Sequence, residues 1–512
     1  MTAPSAPASP EPRAGRTTHE RSREYLAYAD RVWHGKADLG AHLAGEFTGN
    51  RLVLVRPGIG FYPGFANSMT FDTGEGLVLV DSGDVITAAD RHAAVRAFSA
   101  DPVHAVVLTH GHVDHVGGLA PFDAEGHGPE VVAHEALAAR FDRYRRTAGY
   151  NTWINRRQFG VPWLEWPTDY RYPDTTYRDR YTLRRGRLTF ELVHARGETD
   201  DHTYVWVPEA RTLCTGDLFI WHAPNAGNPQ KVQRHPEEWA RALRDMAALD
   251  AELLLPGHGV PIVGAERIHR ALTDTARLLE TLCDQTRALM NEGLRLDEVV
   301  QRVRVPDELL ARPYLHPGYD EPEFVVRNLW RLWGGWYDLN PAHLKPAPEA
   351  EVAAELAAAA GGARALADRA ARLLAQGRLR LASHLAETAA LAAPEDVEVA
   401  RIRARVYTAR AGVEQSTMAR GIFAWAAAES SALVERTDVA TELARTPQGA
   451  RRAAGRIGVG LTDEGDAPPE ETGGTERTQK TQKTGATGGT GRSDPDAEEF
   501  AAGGRGTDGS QA

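Results

Sequence analysis

Thr109-His110-Gly111-His112-Val113-Asp114-His115 follows directly on the apolar run Ala105-Val106-Val107-Leu108, and the reading of this stretch decides the fold. A short β-branched run bounded by turn residues reads as a strand, so three histidines and an aspartate are delivered together at a strand end. Imidazole and carboxylate are donors that zinc accepts, and a catalytic zinc takes few enough of them to leave a position open for water. In a chain of 512 residues with 19 histidines, chance does not account for that spacing.

Outward from this point, residues 50–260 alternate short apolar runs with turns and helical stretches. RLVLVRP, SMTFDT, GLVLVDSGD, AVVLTHGH, EVVAHE, RLTFELVHA, TYVWVPEA, TLCTGD and ELLLPGHG all read as strands. Several end in polar clusters (DSGD, THGH, ARGE, TGD, PGHG), the pattern of a sheet sandwich with its site along one edge. After His258 the period becomes helical. Ile268, Leu272, Leu278, Leu279, Leu282 and Leu289 mark a helix over 267–291, with Gly293 as its C-terminal stop. Trp330, Trp333 and Trp336 recur at three-residue spacing and predict one apolar helix face used for packing. Prolines at 341, 346 and 348 predict a linker, and residues 350–435 read as paired amphipathic helices in a helical-hairpin rhythm.

Composition narrows the class. Hydrophobic content of 42% and charged content of 25% describe an ordinary globular protein, and a formal charge of −11 argues against nucleic acid as a partner. Part of the negative excess sits in the Gly/Thr-rich segment 463–512, where 11 acids face 5 bases. Two cysteines, Cys214 and Cys283, make no disulfide framework and fit a reducing compartment. Cys214 itself reads as a small buried hydrophobe on its strand. No apolar run is long enough to span a membrane, and the N-terminus lacks a signal-like apolar core, so the expected location is cytoplasmic. The expected organisation is a disordered tail over 1–20, a catalytic domain with a helical extension over 21–345, a helical domain over 346–435 and a disordered acidic tail over 436–512.

The His110–His115 motif with Gly117-Gly118 behind it resembles the metallo-β-lactamase fold, which implies an αββα sandwich (an α/β class) holding two metals at one edge. That resemblance implies further ligands at Asp217 in CTGD and His258 in LPGHG. Most of the superfamily carries a histidine where this chain has Glu198 in Gly197-Glu198-Thr199-Asp200-Asp201-His202; a glutamate there, 19 residues before Asp217, resembles the alkylsulfatase branch. The residues alone leave His202 open as the ligand instead. Ala148-Gly149-Tyr150-Asn151 through Arg156-Arg157 resembles an alkylsulfatase stretch that closes over the site. Gly335-Trp336-Tyr337-Asp338-Leu339-Asn340-Pro341 resembles the branch's GWFDGNP motif, which precedes its dimerisation domain. The chain departs from the branch in having Asp217 for a usual glutamate, in lacking an evident His-Asn pair within DEPEFVVRN, and in lacking a sterol-carrier-like C-terminal domain.

The resemblance implies two zinc ions per chain, with manganese or iron as possible occupants. One is assigned to His110, His112 and Glu198 and the other to Asp114, His115 and His258, with Asp217 shared. It implies hydrolysis of an alkyl sulfate to alcohol and sulfate by a metal-activated water. Asp114 is expected to be catalytic as well as a ligand, and His222 and His235 are candidates to protonate the leaving alcohol. An anionic ester needs cationic donors, for which Arg156, Arg157, Lys231 and Arg234 are the candidates. Asn67 is a candidate for the site floor. The alternative readings are hydrolysis of another ester (phosphodiester, thioester or lactone), an iron-dependent redox enzyme, or a non-catalytic scaffold. The expected partners are a small anionic ester and a second copy of the chain through the helical domain.

Overall fold

The computed structural model describes residues 17–47 and 51–446, and within them the strand-forming runs build two sheets. The first contains β1 (Val53–Arg56), β2 (Ile59–Tyr62), β3 (Ser68–Asp72), β4 (Leu77–Val80), β5 (Val103–Val107), β6 (Glu130–His134) and β7 (Thr175–Tyr177), neighbours in sequence order. β1 to β4 form an antiparallel meander, whereas β4 to β7 run parallel, joined by helices that cross over one face. The second sheet holds β8 (Arg180–Arg185), β9 (Leu188–His194), β10 (Thr203–Val207), β11 (Thr212–Gly216), β12 (Leu253–Pro256) and β13 (Ile262–Val263), again in order, with only β11 and β12 parallel.

The alternation of side chains along β4 shows how the layers arise. Val78 and Val80 join the core between the sheets, while Leu77 and Leu79 join a separate core with Val95, Leu137 and Phe141 beneath helices 88–98 and 136–146. Phe71 on β3 meets Phe190 on β9 edge-to-face at 5.3 Å, bridging the two sheets. The outer face of the second sheet is closed by the helix Pro236–Ala247, through Trp239, Leu243 and Met246, and by the helix Ala265–Asn291. This is the αββα sandwich expected. Short strands β2, β7, β8 and β13 went unread in the sequence.

Beyond the sandwich, the helix Pro322–Gly334 leads to six further helices: Pro341–Leu344, Glu349–Ala359, Ala363–Ala375, Leu379–Ala392, Val397–Val413 and Thr417–Glu435. Their cores are alanine-rich and small, one built on Ala357, Leu366, Ala367, Ala389 and Val399 and another on Ala370, Leu373, Ala382, Ala386 and Val406. Three boundaries differ from expectation. Trp336 lies past the end of helix 322–334 and is 68% exposed, so only Trp330 and Trp333 pack. The proline segment is partly helical, because Asn340 caps a turn starting at Pro341. Residues read as tail are also ordered into helices: Thr18 begins one behind a Thr17/Glu20 capping box, and Val439–Arg445 forms another capped by Asp438. Residues 1–16 and 447–512, the rest of the expected tails, lie outside the described residues. Cys214 and Cys283 are buried and unpaired.

Candidate metal centre

Parallel pairing aligns the strand ends. Val80 of β4 lies beside Val107 of β5, and Gly216 of β11 beside Pro256 of β12, so Asp81, His110–His115, Asp217 and His258 emerge at one edge. Glu198 joins them from the loop between β9 and β10. Two groups of donor atoms converge there: His110, His112, Glu198 and Asp217 in one, and Asp114, His115 and His258 in the other. Asp217 faces both. Its Oδ1 lies 3.3 Å from His115 Nε2, and its Oδ2 lies 3.2 Å from His258 Nε2 and 3.6 Å from His110 Nε2.

The arrangement suits cations. His110 Nε2 faces His112 Nδ1 at 2.8 Å and His115 Nε2 faces His258 Nε2 at 3.4 Å, so four ring nitrogens converge among the carboxylates. Glu198 Oε2 and Asp217 Oδ1 are buried without a hydrogen-bond partner. Burial pushes the Glu198 carboxyl up to about 8, with Arg234 opposing. Burial would raise Asp217 too, but His258, His115 and His110 outweigh it and hold it well below the usual carboxylate range. Three carboxylates and four imidazoles in a buried cluster are a donor set suited to divalent cations.

These donors are held from behind. Asp81 accepts from Thr109 N (2.7 Å) and Thr109 Oγ1 (2.9 Å) and pairs with His115 Nδ1 (2.8 Å), aiming Nε2 of that ring at the centre. To do so it adopts a left-handed φ of 60°, a conformation aspartate tolerates better than most residues. His258 is aimed by Phe65 O, and His110 Nδ1 pairs with Thr109 Oγ1 at 3.0 Å. His202 lies outside both donor groups: its Nε2 accepts the backbone N–H of Asp217 at 3.0 Å, and its ring stacks on His110. Asn225 donates to Glu198 Oε1 and Arg234 to Glu198 O. Asn67 donates to Pro256 O and Gly259 O, tying the start of β3 to the loop of His258, and it is buried away from the cavity lining.

Above the centre lies a cavity of about 670 Å³. Its polar floor includes His112, Asp114, Glu198, Asp217 and His258, with Lys231 and Arg234 beside them, and its walls include Phe65, Ile86, Phe159, Trp163 and Trp166. Lys231 Nζ donates to Asn155 Oδ1 at 2.9 Å and sits over Trp166; burial, with Arg234 alongside, pushes it down to about 7. Of the four candidate cations, Lys231 and Arg234 therefore line the cavity. Arg156 and Arg157 do not. Arg156 is turned to Leu164 O and both lie against Trp153, because their helix (148–159) presents Asn155 and Phe159 to the cavity instead.

Neither candidate proton donor lines the cavity. His222 is buried behind it against Gly318, where burial and His316 push its pKa down to about 3. His235 occupies the N-cap position of helix 236–247, its backbone N–H bonded to Gly197 O. Sequence reasoning missed Asp81, Asn225, Gln158 and Tyr319. Asp81 had a visible signal in DSGD; Tyr319, which enters the cavity from well beyond the last ligand, had none.

Comparison with known proteins agrees with this architecture. Residues 61–258 match the metallo-beta-lactamase superfamily, and residues 295–432 match the alkyl sulfatase dimerisation family, a stretch that begins well before the expected helical domain. The chain is similar to a linear primary-alkylsulfatase of Pseudomonas sp., 28% identical over 56% of this chain and 59% of that one. It is also similar to an (R)-specific secondary-alkylsulfatase of Pseudomonas sp., 25% identical over 66% of this chain and 56% of that one. The chain thus spans less than two thirds of the length of these relatives. Its fold matches the solved structure of the stereoselective inverting sec-alkylsulfatase Pisa1 from Pseudomonas sp., with a TM-score of 0.68 at 20% identity over 81% of this chain and 78% of that one.

Proposed function

We propose that this chain, a metallo-beta-lactamase superfamily domain joined to an alkyl sulfatase dimerisation region, is a zinc-dependent hydrolase that cleaves alkyl sulfate esters to alcohol and sulfate. The observation that carries the reading is Glu198. It faces His110 and His112 with an unpartnered oxygen, while His202 is committed to the Asp217 backbone, so the carboxylate is the ligand at the position that separates this branch from others.

Two zinc ions per chain are assigned to His110, His112 and Glu198 and to Asp114, His115 and His258, with Asp217 shared; when bound they supply a water of lowered pKa and Lewis-acid stabilisation of the attacking and leaving oxygens. Arg234 and Lys231 bind the anionic head, the first buried with its Nε unpartnered, the second positioned by Asn155. The aromatic and aliphatic walls take the alkyl chain and keep water away from the head. Asp114 is the most accessible of the three carboxylates, its side chain 19% exposed against 7% for Asp217 and 2% for Glu198, which supports a role for it in accepting the proton of an incoming water. The apolar residues Val352, Leu356 and Leu381, exposed on the helical region, support a homodimer formed there. The two unpaired cysteines fit a reducing, cytoplasmic setting, and among the described residues no helix is long and apolar enough to cross a membrane.

The test is elemental analysis of the purified protein with hydrolysis of a medium-chain alkyl sulfate in the same preparation. Two zinc per chain with release of sulfate is the expected result. Two zinc without sulfate would discard the substrate in favour of another ester, and iron in place of zinc would favour a redox enzyme.

A further inference from the structure

Three observations around Tyr319 remain unused by the reading above. Its side chain lines the cavity beside Glu198, Asn225, Lys231 and Arg234. Its hydroxyl oxygen accepts from Gln158 Nε2 at 2.9 Å, and the Gln158 amide is buried and oriented by Asn228, which faces its Oε1 at 3.5 Å. With a lone pair so occupied, and no acceptor for the phenolic proton among the described residues, that proton is left for a ligand in the cavity.

The backbone on either side of Tyr319 is clamped. Gly318 O accepts both the N–H and the Oγ1 of Thr417, each at 2.9 Å, at the start of helix 417–435. Asp320 is fully buried and its two oxygens accept the N–H groups of Gly227 and Glu321. The same helix also holds Gln158. A Cβ on Gly421 would lie 1.9 Å from Gln158 O, so helix 417–435 packs backbone to backbone on helix 148–159, and only glycine permits it. One helix of the dimerisation region therefore supports both partners of the hydrogen bond.

Resting on the sulfate-ester reading, we propose that Tyr319 donates its phenolic proton as a hydrogen bond to an oxygen of the anionic head group, and that Thr417 and Gly421 are positioning residues that hold it there. Burial, with Glu198 and Asp114 nearby, keeps the phenol well above its usual range, so Tyr319 stays a neutral donor throughout the working pH range. The dimerisation region is in this respect part of the site and not only an interface.

The experiment uses the full zinc-loaded chain and two readouts, the dissociation constant of inorganic sulfate and kcat/KM for decyl sulfate. Tyr319→Phe should weaken both by roughly tenfold or more, as expected for a hydrogen bond to a charged group, with zinc content unchanged. Gly421→Ala and the milder Thr417→Val should each weaken sulfate binding in the wild-type background and have no further effect on it in the Tyr319→Phe background. Values for Tyr319→Phe within twofold of wild type, or a wild type that binds no sulfate, would overturn the donor. Equal losses from Gly421→Ala and Thr417→Val in both backgrounds would overturn the positioning role. A wild type that binds sulfate but does not hydrolyse decyl sulfate would overturn the sulfate-ester reading alone, leaving the donor to be judged by the affinity ratio.

Discussion

The sheet edge and the helical region are built by opposite means. At the edge, polar groups are fixed one by one: His115 by Asp81, His110 by Thr109, His258 by Phe65 O and Glu198 by Asn225. Each such bond is directional, and each leaves one atom aimed at the centre. In the helical region, packing is close but lean, with Ala357, Ala367, Ala370, Ala382, Ala386 and Ala389 buried among a few larger side chains. Small side chains let helices approach closely but remove little apolar surface from water. The first region takes its precision from partners, the second from proximity, and the two should therefore fail differently.

The sharpest break is at Asp217. Asp217→Asn removes the charge that faces both ligand groups, and turnover should fall below detection with zinc content reduced, checked by elemental analysis and sulfate release. Asp81→Ala comes next. It touches no cation, yet loss of its grip on His115 and Thr109 should lower zinc affinity about 10- to 100-fold, measured by chelator competition. Leu373→Ala tests the other region: it should lower the stability of the helical region by about 2–5 kcal/mol in denaturant unfolding while leaving zinc content unchanged. Zinc loss in that variant would break the comparison.

The smallest effect is a pH profile. Lys231 is held near 7, so it carries charge below that value and loses it as pH rises. Apparent KM for an alkyl sulfate should accordingly rise above about pH 7, by roughly tenfold, the scale of one charged hydrogen bond, and Lys231→Met should flatten that limb. A limb that survives Lys231→Met would assign the titration to another group.

The sandwich and its cluster of potential donors were legible in the chain because their signals are local. Alternation along GLVLVDSGD shows a strand, and His110 to His115 carry four donors in six residues. Asp217 and His258 each stand at the end of an apolar run. The cationic lining of the cavity was half legible: Lys231 and Arg234 resemble Arg156 and Arg157 in chemistry, and which pair faces the cavity depends on the rotation of helix 148–159, which its weak periodicity does not reveal. His222 and Tyr319 show the limit most clearly. A histidine soon after Asp217 reads as an acid, but the fold turns it behind Gly318 and brings in a tyrosine from a segment with no motif of its own. Such placement depends on contacts between residues far apart in the chain, and no pattern within either segment encodes it.

The pairing of Gly216 with Pro256 has a consequence for how the molecule is made. The donors of His110 to His115 are neighbours in any conformation, including the unfolded one, whereas Asp217 and His258 come together only when β11 and β12 pair across the helix between them. Closing that loop costs chain entropy, so the second half of the donor set exists only once the tertiary fold has formed. A cation present during folding meets the local histidines first, and its affinity for the unfolded chain subtracts from what it adds to native stability. A cation's net stabilisation is thus set by its affinity for the assembled donors measured against its affinity for the local histidines of the unfolded chain.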